Sequence, residues 1–174
     1  MKLRLLYAAL LTTLLLPAPV RAGNLAEEQV KAGFVLNFAK YVEWPVPAPV
    51  GGELRICGVG AHPLSGKLTE LQGRQVQGRE VRVRLSGRPD DWRGCHILFL
   101  PAEEALRAEA LLRTVGTTPV LTVGDGTDFA RDGGMIGLKL RFGRIRFDIN
   151  LGAARRAGLN FSSQLLKLAD EVIP

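Results

Sequence analysis

Histidine and cysteine occur only twice each in this chain of 174 residues, and aromatic side chains make up just 6% of it. So few histidines leave little material for histidine-based acid–base chemistry. Several motifs are absent as well. Ser65 and the Ser162-Ser163 pair lack a G-x-S-x-G elbow, and the two cysteines, Cys57 and Cys95, form no C-x-x-C redox pair. Gly58-Val59-Gly60 starts like a dinucleotide fingerprint, but Pro63 stands where its third glycine is required. A phosphate loop fails at Gly66-Lys67, which is followed by Leu68 in place of Ser or Thr. Its arginines, paired as Arg82/Arg84 and Arg144/Arg146, are not interleaved with aromatics, which argues against a nucleic-acid partner. The two pairs read instead as the solvent side of alternating strands. No internal repeat is found, and no apolar run reaches the roughly 20 residues needed to span a bilayer.

The longest apolar run, Leu5 to Leu16, follows the basic start Lys2 and Arg4 and precedes Val20-Arg21-Ala22. This order predicts a signal peptide over residues 1–22, cleaved after Ala22, and a mature domain over 23–174 in the periplasm. Removing Lys2, Arg4 and Arg21 lowers the formal charge from +6 to +3, so the apparent basicity halves. Export also changes how the cysteines read, because an oxidising compartment makes disulfides and keeps them. Cys57 lies within one expected strand and Cys95 just before another. If those strands are neighbours the two can bridge, and closing a loop of about 39 residues would contribute roughly 3–4 kcal/mol. His62 and His96 could join the thiols as zinc ligands, but their spacing matches no zinc pattern.

With 20 Gly and 10 Pro, what the chain does have is many short elements. An amphipathic helix is expected over Leu25–Val42, ended by Glu43-Trp44-Pro45. A connector over Pro45–Gly52 follows. Strands are expected at Leu54–Val59, Val81–Leu85, Ile97–Leu100 and Val120–Val123, with helices at Pro63–Leu71 and Ala102–Arg113. Wholly apolar strands alternating with helices imply a parallel sheet covered on both faces. Met135–Leu140 and Ile145–Ile149, joined by Arg141-Phe142-Gly143-Arg144, can only form an antiparallel hairpin. Helices at Leu151–Ala157 and Ser162–Glu171 complete a three-layer, Rossmann-like α/β fold. Asp125, Asp128 and Asp132 follow a buried strand, where such sheets place ligands. Capping of a helix starting near Thr127 is the simpler role for Asp125, and Ser162 reads as an N-cap. No catalytic set, metal or cofactor is expected.

The residues then point to a family. Val30-Lys31-Ala32-Gly33-Phe34-Val35-Leu36-Asn37-Phe38-Ala39-Lys40-Tyr41-Val42-Glu43-Trp44-Pro45 resembles the opening helix of the YfiR/HmsC-like proteins. Ile56-Cys57-Gly58-Val59-Gly60, Cys95-His96-Ile97-Leu98-Phe99 and Val120-Leu121-Thr122-Val123-Gly124-Asp125 follow in order. The tail resembles the family most, through Arg146-Phe147-Asp148-Ile149-Asn150-Leu151 and Ala157-Gly158-Leu159-Asn160-Phe161-Ser162-Ser163-Gln164-Leu165. The resemblance implies a non-catalytic periplasmic repressor that binds the periplasmic sensor domain of an inner-membrane diguanylate cyclase. Cyclic-di-GMP signalling and biofilm formation would fall as a result. It also implies sequestration by an outer-membrane lipoprotein, a homodimer by analogy, and redox control through the Cys57–Cys95 pair. A second cysteine pair that some members carry is missing here. The partner surface is expected on the hairpin and tail, at Arg144, Arg146, Asp148, Asn150, Arg155 and Gln164. Asn150 and Ser163 could equally tie the hairpin to the last helix internally. The alternative is a small-molecule sensor whose ligand sits near Gly60, Asp125 and Gly134.

Overall fold

The computed structural model describes residues 22–45, 52–60, 62–86, 88, 91–92 and 94–174. The expected signal peptide over 1–22 lies outside the described residues, except for Ala22. Helix α1 (Ala22–Phe38) is followed by β1 (Val42–Glu43), β2 (Glu53–Gly58), α2 (Pro63–Thr69), β3 (Gln75–Val76), β4 (Arg79–Leu85) and β5 (Ile97–Leu100). A 3₁₀ turn at Ala102–Glu104 leads into α3 (Ala105–Val115) and then β6 (Leu121–Gly124), β7 (Ile136–Arg141) and β8 (Arg144–Asn150). The tail forms α4 (Leu151–Arg156), β9 (Asn160–Phe161), α5 (Ser163–Leu168) and β10 (Glu171–Ile173).

Eight strands make one sheet in the order β10-β8-β7-β6-β5-β2-β4-β3. Pairing is parallel from β4 through β2, β5 and β6 to β7, and β7–β8 is the antiparallel hairpin. The all-apolar β5 and the apolar-rich β6 occupy the centre because both of their faces are covered. Ile97, Phe99, Leu121 and Val123 join a core with α1 and α2, while Leu98 and Leu100 join a second core under Leu111 and Val115 of α3. The three-layer α/β expectation is therefore met. β4, with its arginines, stands one strand from the edge, shielded only by the two-residue β3.

Two ends depart from the expected pattern. α1 stops at Phe38 rather than Val42, because Val42 and Glu43 pair with Phe161 and Asn160 in a separate two-stranded sheet. α5 stops at Leu168 rather than Glu171, because Glu171–Ile173 pairs in parallel with β8. No helix starts at Thr127; residues 127–133 form turns closed by Phe129 N–H to Gly126 O and Gly134 N–H to Phe129 O. Among the described residues no helix is long and apolar enough to cross a membrane.

Candidate functional site

The sheet changes winding direction at β2, since the chain moves first to β4 on one side and then to β5 on the other. The carboxyl ends of β2, β5 and β6 thus flank the place where open α/β sheets bind ligands. Here the chain gathers charge. Lys31 of α1 has an 8% exposed side chain and reaches Glu27 at 2.9 Å, Glu28 Oε1 at 3.4 Å and Asp125 Oδ2 at 3.0 Å. Burial alone would push the Lys31 ammonium toward deprotonation, but the Glu27, Asp125 and Glu28 carboxylates outweigh it and hold its pKa above the ordinary lysine range. Asp125 also accepts the Ala102 N–H at 2.9 Å. It therefore caps the turn after β5, not the helix expected near Thr127. Asp128 and Asp132 lie exposed in the 127–133 turn and stay out of the cluster.

His62, only 11% exposed, enters from the start of α2. Its Nδ1 accepts the Leu64 N–H at 3.1 Å, capping α2 ahead of Pro63, and its Nε2 lies 3.4 Å from Glu103. Gly60 provides the turn that delivers it, at a φ of +73°. Lys31 and Glu28 were not singled out by the sequence. Glu27, Glu28 and Lys31 have the i,i+3 and i,i+4 spacing of any solvated helix face, and nothing local marks that face as buried.

Beyond these strand ends projects the β7–β8 hairpin, whose register carries its tip past the last paired residue of β6. Alternation gives it two unlike faces. Phe147 packs on Phe34 and Phe38 of α1, with ring centroids 6.0 and 5.1 Å away. The other face holds Arg144, Arg146, Asp148 and, across the ladder, Lys139 and Arg141. Lys139 is clamped by Asp148 at 2.6 Å and Asp170 at 2.9 Å, and Arg141 reaches Asp170 at 2.8 Å. Arg144 and Arg146 have no ion-pair partner among the described residues, so this face keeps free positive charge. At the tip, Phe142 and Gly143 both take positive φ, +50° and +70°, the two-residue turn that suits a hairpin twist. Phe142 is 94% exposed, a bulky residue in a backbone region that normally goes to Gly or Asn.

Of the other expected contact residues, Arg155 and Gln164 are exposed on α4 and α5. Asn150 is buried; it accepts the Ala153 N–H and donates to the Ala130 carbonyl, each at 2.8 Å. Its side chain thus caps α4 and holds the 127–133 turn, and does not tie the hairpin to the last helix as expected. Ser162 caps α5 through the Leu165 N–H, as expected. Cys57 and Cys95 form a disulfide with Cα atoms 6.0 Å apart, between β2 and the entry to β5. The bridge lies in the α3-side core beside Trp92 and Leu98 and takes up both thiols that a zinc site would have needed. A separate hollow of about 770 Å³ opens between α3 and the 126–133 turn, lined by Ala105, Leu112, Phe129 and Arg156 among others.

The YfiR/HmsC-like family model matches residues 28–170. Among solved structures, the chain is similar to a tryptophan-complexed ABC domain from Streptococcus pneumonia, at 11% identity and a TM-score of 0.55, over 82% of this chain and 60% of that one. It is also similar to a conserved domain protein from Vibrio cholerae O1 biovar eltor, at 12% identity and a TM-score of 0.49, over 73% and 57% respectively. The chain thus spans less than two thirds of either protein. The Streptococcus likeness supports the α/β fold alone. The chain belongs to the YfiR/HmsC-like family, whose members are periplasmic regulators.

Proposed function

We propose that this member of the YfiR/HmsC-like family is an exported, non-catalytic repressor that binds the periplasmic domain of an inner-membrane diguanylate cyclase and keeps cyclic-di-GMP low. The observation that carries the reading is the family match across residues 28–170, nearly the whole expected mature chain. A buried disulfide suits an oxidising compartment. A repressor of this kind needs no chemistry; it must only bind one state of the cyclase more tightly than the other.

The hairpin is the contact surface. It offers Arg144 and Arg146, which have no ion-pair partner among the described residues, and an almost fully exposed Phe142, on a ladder pinned from behind where Phe34 and Phe38 of α1 meet its Phe147. Arginine and aromatic residues are the types enriched where interfaces concentrate their energy. Arg155 and Gln164 extend the surface onto the tail helices. A lipoprotein of the outer membrane would release the cyclase by competing for the same regulator.

The test is intracellular cyclic-di-GMP in a host carrying the cognate cyclase. Deleting the gene raises it, the wild type restores it, and an Arg144→Glu/Arg146→Glu chain exported at normal level does not. An unchanged level on deletion would count decisively against the reading. The hollow of about 770 Å³ favours a second one, a small-molecule sensor, which predicts ligand-induced thermal stabilisation with no protein partner present.

A further inference from the structure

The charged cluster at the strand ends is not electrically balanced. One ammonium, Lys31, faces the carboxylates of Glu27, Glu28 and Asp125, and Glu103 stands just beyond His62. The side chains of Glu28 and Asp125 are 10% and 5% exposed, so water has little part in solvating the excess negative charge. Glu28 Oε2 is fully buried and has no hydrogen-bond partner among the described residues. A buried carboxylate oxygen with nothing to accept from is costly, and such an atom marks a place where something else binds. Glu28, His62 and Asp125 each put a ligand atom within 4.8 Å of the other two.

We infer that Glu28, His62 and Asp125 form a site for a first-row divalent cation, with zinc as the representative ion. Two carboxylates and an imidazole are a borderline donor set of the kind zinc accepts, and three protein ligands leave a position open to water or a partner's side chain. The ion's double charge cancels the excess left by Glu27, Glu28, Lys31 and Asp125. Donors about 2.1 Å from one ion stand roughly 3–4 Å apart, so groups already within 4.8 Å of one another need close by no more than about 1–2 Å on binding. His62 must also change its bonding. Its Nδ1 now accepts the Leu64 N–H, which in the neutral ring leaves the proton on Nε2. Coordination through Nε2 moves that proton to Nδ1, and Leu64 loses its acceptor. Metal binding therefore uncaps the first turn of α2 while drawing α1, α2 and the β6 loop together. The site is independent of the cyclase proposal and stands or falls without it.

The experiment titrates zinc into the purified, disulfide-intact, chelator-stripped chain carrying no affinity tag, by calorimetry, with X-ray absorption on the zinc-loaded protein. One ion per chain, bound through a first shell containing a single imidazole and carboxylate oxygens, is the expected result, with faster amide exchange at Leu64. Glu28→Gln, which keeps shape and fold but removes the charge, weakens binding by about tenfold or more. Lys31→Met, which removes the competing ammonium, strengthens it. Absence of stoichiometric binding overturns the inference. So does a zinc shell without imidazole, or an affinity unchanged in Glu28→Gln, because either would place the ion elsewhere.

Discussion

At the scale of single residues, two glycines and one lysine show how this sequence holds its site. Phe129 lies against Gly124 and Gly134, where an added Cβ would come within 2.5 and 2.1 Å of its ring. Gly134→Ala therefore forces the 127–133 turn outward, and we expect a loss of about 1–3 kcal/mol, read from chemical denaturation. Lys31 gives a pH signature. Its pKa is raised in the folded chain, so the stability it contributes is fully present below the unfolded lysine value of 10.5 and is lost as pH climbs beyond it. Lys139, raised by Asp148 and Asp170 against the opposing effect of burial, adds to the same alkaline decline. Asp170 acts in the other direction. Lys139 and Arg141 hold it below its ordinary 3.8, so its contribution is fully present above that value and is lost as pH falls below it. Denaturant midpoints measured from pH 3 to 12 should show both shoulders, and Lys31→Met should flatten the alkaline one.

At the scale of elements, the hairpin carries the sharpest prediction. Phe142→Asn places a residue suited to positive φ at the turn, and it should raise stability by about 0.5–1 kcal/mol in thermal melts while weakening cyclase repression. A hairpin tip optimised only for folding would have such a residue already. The hairpin was also readable in advance. Alternation on both strands and a short loop fixed its pairing, just as uninterrupted apolar runs fixed β5 and β6 as central. Where the sequence misled, the elements were too short to have a period. β1 and β9 have two residues each, and Val42 continued the apolar spacing of α1 until a tertiary partner claimed it. The candidate site was half legible. Asp125 stood at a strand end where a ligand is expected, whereas burial of Glu28 and Lys31 depends on α1 reaching the carboxyl end of β6, which no local pattern reports.

At the scale of the molecule, the Cys57–Cys95 bridge ties β2 to β5 across a separation of 38 residues and encloses α2, β3, β4 and the segment before β5. Its loss should cost roughly 3–4 kcal/mol in the chain-entropy account. A Cys57→Ala/Cys95→Ala chain is expected to keep the α/β circular dichroism signature in the cold and to melt well below the wild type. If repression fails only above that lower melting point, the bridge supports folding; if it fails in the cold too, oxidation itself is read by the partner.

The two-stranded sheet of β1 and β9 has a consequence in time. Its partners are about 120 residues apart in the chain, so this closure is among the most distant in the fold. Synthesis from the N-terminus makes α1 and β1 long before β9, so β1 waits for its ladder partner until about 120 further residues have been made. Until then Val42 and Glu43 are without Phe161 and Asn160, their ladder partners, although α1 can already pack on α2. The stretch that leaves α1 is thus among the late parts of the fold to be finished, and its unpaired backbone is what an escorting chaperone would have to hold.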